Sequence, residues 1–220
     1  MNKFLALLMA ILFSACSSSQ PIPQWKDKSY RQLETYKNDF LADKEDATEP
    51  HFRKAREAFA AGNDLDLLAK AYLTRMALQA AVLTDIDDSD FIRLDKLQPS
   101  ALNRSYYDFI QGNFSALQKT EPPPPYNRLK SAIAGKDVAA AAREIAGMEN
   151  NLSRLIACGV WVKYLPYNDS ILQIAIATAS EQGWSRALFA YLYKLQAYYQ
   201  DRKELQKAQD IKERLEMLKK

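Results

Sequence analysis

Val138, Ala141, Ile145, Met148, Leu152 and Leu155 follow one another at steps that alternate between three and four residues. Only a helix with 3.6 residues per turn gathers such positions on one face, so the spacing predicts a single long, packed helix of about five turns. The same rhythm recurs in Tyr30, Leu33, Tyr36 and Phe40, in Phe52, Ala55 and Phe59, and in Leu65, Leu68, Ala71, Tyr72 and Met76. It returns in Leu102, Tyr106, Phe109 and Ile110, and as a wide stripe through Trp184, Ala187, Leu188, Tyr191, Leu192, Leu195, Tyr198 and Tyr199. A final set, Leu205, Ala208, Ile211, Leu215 and Leu218, stands opposite a side that is almost entirely charged, as a helix at the edge of a stack requires. Such a chain is expected to be all-α, built of irregular helical hairpins as an α-solenoid or a compact helical bundle.

Only 6 glycines occur in 220 residues, so sheets joined by tight hairpins are disfavoured, while the 48% hydrophobic content suffices for one substantial core. The glycines that pause the apolar stripes come as Gly62 and Asn63, Gly112 and Asn113, Gly135 and Lys136, and Gly183 and Trp184. Each pair is expected to end a helix in a left-handed turn. Pro122 to Pro125 is a break that no helix interior accepts. A second break lies at Pro166 to Asp169, where Asn168, Asp169 or Ser170 can cap the helix that follows. Between Cys158 and Tyr167 the apolar residues Val160, Trp161, Val162, Tyr164 and Leu165 fit a buried helix end or an extended plug equally well.

Little in the chain resembles a catalytic centre. His51 is the one histidine, so neither a multi-histidine metal site nor a histidine relay is supported, and its place after Pro50 suits a solvated or capping role at a helix start. Asp85, Asp87, Asp88 and Asp90 alternate as calcium ligands can, but an EF-hand would need glycine where Asp90 stands and glutamate where Lys96 stands. Capping of the next helix by Asp88 or Ser89 is the expected use. No Gly-rich phosphate loop and no Gly-x-Ser-x-Gly elbow occurs, so no cofactor, metal or catalytic residue is expected. The 30 basic and 27 acidic residues are interleaved, as at Arg202 to Glu204, which argues against nucleic acid as a partner. Cys158 sits in an apolar run and reads as a small buried hydrophobe.

The first fifteen residues follow the plan of a secretory signal: Lys3, an apolar run from Phe4 to Phe13, then Ser14 and Ala15. That run is too short to span the ~30 Å of a bilayer's hydrocarbon as a helix. Leu12, Phe13, Ser14, Ala15 and Cys16 resemble the lipobox of bacterial lipoproteins, departing from it in having Phe13 where leucine is usual. The resemblance implies cleavage between Ala15 and Cys16, a diacylglycerol on the Cys16 thiol, and acylation of the new amine. Two or three acyl chains hold a protein durably on a bilayer, which would be the first partner. Ser17, rather than aspartate, after the cysteine implies sorting to the outer membrane, facing the periplasm. Residues 16–24 would then be a lipidated, proline-punctuated tether and residues 25–220 a single all-helical domain. Loss of the leader removes only Lys3 among the charged residues, so the processed chain stays near neutral.

Ala179, Gly183, Ala187 and Tyr191 resemble the helix pairs of tetratricopeptide (TPR) proteins, as do Ala58, Gly62 and Ala69, and Ala132, Gly135 and Ala140. Small residues there let antiparallel helices touch near their turn, although the glycines show no constant period of the ~34 residues that true repeats have. In size and plan the chain resembles TPR lipoproteins that assist β-barrel or pilus secretin assembly. The resemblance implies a non-enzymatic scaffold or adaptor with an envelope protein or peptide as partner. The alternative is a cell-wall-binding or cell-wall-hydrolysing envelope protein. Most tyrosines fall on core faces, including Tyr72, Tyr106, Tyr191 and Tyr198, which leaves Tyr107, Tyr193 and Tyr199 as the expected exposed, partner-binding candidates.

Overall fold

A computed structural model describes residues 23–219, so the leader, Ala15, Cys16 and most of the tether lie outside the described residues. Among the described residues the chain is all-α, as its periodicity predicts. The helices are α1 (Gln24–Leu41), α2 (Glu45–Ala61), α3 (Leu65–Ala81), α4 (Ser89–Leu97), α5 (Ala101–Ile110), α6 (Lys130–Gly135), α7 (Val138–Ala146), α8 (Asn151–Tyr164), α9 (Asp169–Gln182), α10 (Ser185–Asp201) and α11 (Leu205–Leu218).

One device ends most of them. A residue turns left-handed at the C-cap itself in Lys136 and Gly183, and one position after it in Asp43, Asn63, Leu83, Gly112 and Lys203. The next backbone N–H then reaches back five residues, as from Lys44 to the Asp39 carbonyl at 2.9 Å and from Glu204 to the Tyr199 carbonyl at 2.9 Å. All four glycine pairs of the sequence mark such turns. In two of them it is the residue after glycine, Asn63 or Lys136, that carries the positive φ. Starts are capped by side chains: Asp64 accepts from the Leu67 N–H, Ser100 from Asn103, Asp137 from Ala140 and Asn150 from Ser153.

The α1–α2 hairpin closes on α3 through a chain of rings, Tyr36 against Phe52 at 4.9 Å and Phe52 against Tyr72 at 5.5 Å. Helix α3 then packs on α4 and α5 and, far along the sequence, on α8. That crossing is unusually close, because Gly159 of α8 lies on the α3 backbone and a Cβ there would overlap the Ala80 carbonyl. From α8 the chain proceeds through successive contacts to α9, α10 and α11. Helix α10 also returns to the start: Ser185 Oγ donates to the Ala42 carbonyl at 2.9 Å, and Arg186 pairs with Asp43 at 2.7 Å while covering the Phe40 ring. The buried apolar side chains form one cluster, with Trp161, Tyr36 and Tyr191 among the largest fully enclosed.

Several expectations are corrected. The long helix from Val138 to Leu155 is two helices, α7 and α8, separated by Gly147 to Asn150. Asn150 caps the second through its side chain, and Met148, buried at 2% exposure, keeps the apolar phase across the break. The short helix around Phe52 begins earlier, at Glu45, where Glu45 and Asp46 meet the positive end of the helix dipole. His51 is therefore inside α2 rather than at its start, with Nδ1 at 2.8 Å from Gln32 Oε1. The ambiguous stretch after Cys158 is the buried end of α8, and Trp161 Nε1 donates to the Pro166 carbonyl at 2.7 Å. Asp88 holds the N-cap position of α4 without a capping bond, since its carboxylate accepts from Tyr107 of α5 and from Gln111 at that helix's C-cap.

Candidate functional site: an amide-lined trough along α3

On the face of α3 that carries Lys70, Leu73, Thr74, Ala77 and Leu78, Lys70 and Thr74 are half-buried and the other three are buried. Two cavities, of about 330 and 260 Å³, open along it, and a third, of about 320 Å³, continues beyond them between α1, the start of α8 and the end of α9. The first two share Thr74, Tyr106, Tyr126 and Ser153, and the last two share Lys37, Asn150 and Leu152, so together they make one trough. Its near wall is α1, its far wall the first turn of α8, and its end wall α5 with Pro123 and Pro124. The proline break thus serves as a wall. At that end Leu102 stands 56% exposed, an apolar side chain of α5 that the core does not use.

Carboxamides set the chemistry of the lining. Asn38, Asn150, Asn151 and Gln182 border one end and Asn103 the other. Asn38, Asn151 and Gln182 offer donor and acceptor together, the pairing that a peptide backbone presents at every residue, whereas Asn150 Oδ1 accepts from the Ser153 N–H and Asn103 Nδ2 donates to Asp66. The charged side chains at the trough are largely compensated in place: Lys37 meets Glu34 at 2.5 Å, and Lys70 meets Asp66 at 2.6 Å. Asn103 Nδ2 also donates to Asp66 at 2.8 Å, and with Lys70 holds that carboxyl below the ordinary aspartate range, the lysine hydrogen bond being the larger cause.

Two stacked phenols, Tyr106 and Tyr126 with centroids 5.7 Å apart, form the deep corner, and Tyr126 stacks in turn on Phe109 at 4.5 Å. Burial pushes both phenols up, so they stay neutral hydrogen-bonding groups at any physiological pH. They give the corner a fixed shape.

The structure separates the three tyrosines singled out from the sequence. Tyr193 is exposed at 43%, on α10, with Lys219 over its ring at 5.1 Å. Tyr107 and Tyr199 are buried, contrary to expectation. The Tyr107 hydroxyl donates to Asp88 at 2.7 Å, and burial together with that bond pushes its pKa up to about 12. The Tyr199 hydroxyl donates to Asp169 at 3.2 Å. Both were misplaced because the carboxylates that receive them lie 19 and 30 residues away in sequence. None of the three lines the trough. Its carboxamides escaped the sequence reading, although Asn150, a helix cap, carried a legible signal. Cys158 is fully buried, as expected, and burial pushes its thiol far above the ordinary range.

Among the described residues no helix is long and apolar enough to cross a membrane. Comparison with known proteins assigns no kinship: no family model, no curated protein and no solved structure matches this chain.

Proposed function

We propose that this chain is a lipoprotein of the bacterial envelope, anchored through acylated Cys16, whose helical body is a non-enzymatic scaffold that receives an extended segment of another envelope protein along α3. The observation that carries the reading is the trough itself, open, lined by five carboxamides and walled by aromatic and proline residues. A bound strand would find hydrogen bonds for its backbone there at Asn38, Asn151 and Gln182, beside Lys37 and Lys70 that are already paired. The TPR-like part of the reading rests on the α9–α10–α11 hairpins, where Ala179, Ala187 and Tyr191 are fully buried at the turn. The contacts of α3 with α8 and of α10 with α1 depart from strict neighbour-to-neighbour stacking.

A photo-crosslinking residue placed at position 102 in cells tests the scaffold, with position 212 on the charged face of α11 as control. Capture of the same envelope protein at 102 and not at 212, lost in Asn38→Ala and Asn151→Ala variants, is expected. Equal capture at both positions, or co-sedimentation with purified peptidoglycan in place of a protein partner, overturns it. The anchor is tested separately. Cys16→Ser protein should leave the membrane fraction in a high-salt wash and take up no acyl label, and retention equal to the parent protein refutes lipidation.

A further inference from the structure

Sharing no lining residue with the trough, α6 and the turns before it enclose a cleft of about 430 Å³ whose chemistry is unlike that of the trough. Leu117 and Ile133, exposed 3% and 9%, form its floor with Pro122, and half-buried Phe114 and Leu165 form its sides. Lys130 and Lys136 line the same cleft, and Lys136, at φ 49, is set at the mouth by the left-handed turn that ends α6. Among the described residues neither lysine makes an ion pair. From Phe114 to Asp137 the chain carries Lys119, Arg128, Lys130 and Lys136 against Glu121 and Asp137, a local excess of positive charge.

An apolar floor beneath two uncompensated cations selects a ligand that places apolar groups next to negative charge. The apolar run Phe4 to Phe13 of this chain has the wrong sign, with Lys3 the charge beside it. The cleft is open to solvent, and Ser115 and Gln118 are exposed beside it, so hydrogen-bonding groups flank the apolar floor as a peptide backbone requires. We propose that this cleft docks an acidic, apolar peptide segment of a partner protein, with one or two apolar side chains over Leu117 and Ile133 and carboxylates at Lys130 and Lys136. It is a second docking point, independent of the trough.

Isothermal titration calorimetry of the full chain with a synthetic peptide, Gly-Ser-Leu-Phe-Glu-Glu-Ser, tests it. Saturable binding with a Kd of roughly 10 to 100 μM is expected, as for a small transient contact. The affinity should fall by about tenfold or more in a Lys130→Glu, Lys136→Glu double variant and as salt is raised. Ala134→Trp, which places a ring in the cleft from an exposed position, should abolish it, with circular dichroism confirming the fold of both variants. No saturable binding, equal affinity for a peptide with Lys-Lys in place of Glu-Glu, or unchanged affinity in both variants overturns the proposal. So does binding of laurate that the peptide fails to displace, which would make the cleft a fatty-acid site. Crosslinking at position 102 is untouched by these variants, so failure here and failure of the trough are distinguishable.

Discussion

Individual side chains in this protein are placed by partners distant in sequence. Gly159 is the sharpest case, since its missing side chain is the space that the Ala80 carbonyl occupies. Gly159→Ala should therefore lower stability by about 3 kcal/mol, the upper range for overpacking a close contact, and reduce Tm accordingly. Chemical denaturation checks the value, and an unchanged midpoint would show that the α3–α8 crossing is wider than described. Tyr191 presents the opposite case. Its hydroxyl is enclosed without a hydrogen-bond partner among the described residues, so it retains a desolvation cost. Tyr191→Phe should leave stability unchanged or raise it by about 1 kcal/mol. A clear drop in Tm would mean that the hydroxyl has found a partner. Neither feature was legible in the sequence, where Gly159 lies in an ambiguous apolar run and the apolar stripe places Tyr191 in the core without showing what its hydroxyl meets there.

At the scale of helices, much was legible and the exceptions share a cause. A step of three and four residues reports the phase of an apolar face and not the continuity of the backbone. Met148 preserved the phase while Gly147 and Asn150 ended one helix and began another, so the break between α7 and α8 was hidden. Helix ends were found at the four glycine pairs that interrupt an apolar stripe, and missed at Gly147, where the stripe kept its phase, and where Asp43, Leu83 and Lys203 took the left-handed turn without glycine. Those residues bear a steric cost that glycine does not. Lys203 is exposed and makes no ion pair among the described residues, so Lys203→Gly should raise stability by about 0.5 to 1 kcal/mol. A thermal melt decides it, and a lowered Tm would show that the turn between α10 and α11 is relaxed as it stands. The trough was the least legible part. Its walls come from α1, α3, α5 and α8, and no local pattern announces which helix faces will be left uncovered.

Over the whole molecule, the enclosed phenols predict how the fold responds to alkali. Tyr36, Tyr106, Tyr126 and Tyr191 are raised chiefly by burial, and Tyr107 is pushed up to about 12 by burial and by Asp88. An unfolded tyrosine loses its proton near pH ~10, so the folded state, which keeps it, holds the full contribution below that pH. The contribution is lost as pH rises from the unfolded value through the raised folded one. Tm should stay level to about pH 9 and fall beyond about pH 10. Tyr107→Phe should flatten part of that fall between about 10 and 12, the window set by its two values. Melts followed by phenolate absorbance test this, and ionisation of all tyrosines near pH ~10 without unfolding would contradict their enclosure.

The close crossing of α3 and α8 also has a consequence for binding. The helix beneath the trough is gripped by neighbours from both halves of the chain, so, for the segment proposed to bind there, the floor would be stiff beforehand. The loss of conformational freedom on association would then fall almost wholly on that segment, which would favour chains already extended or stiffened by proline and disfavour long pliable ones.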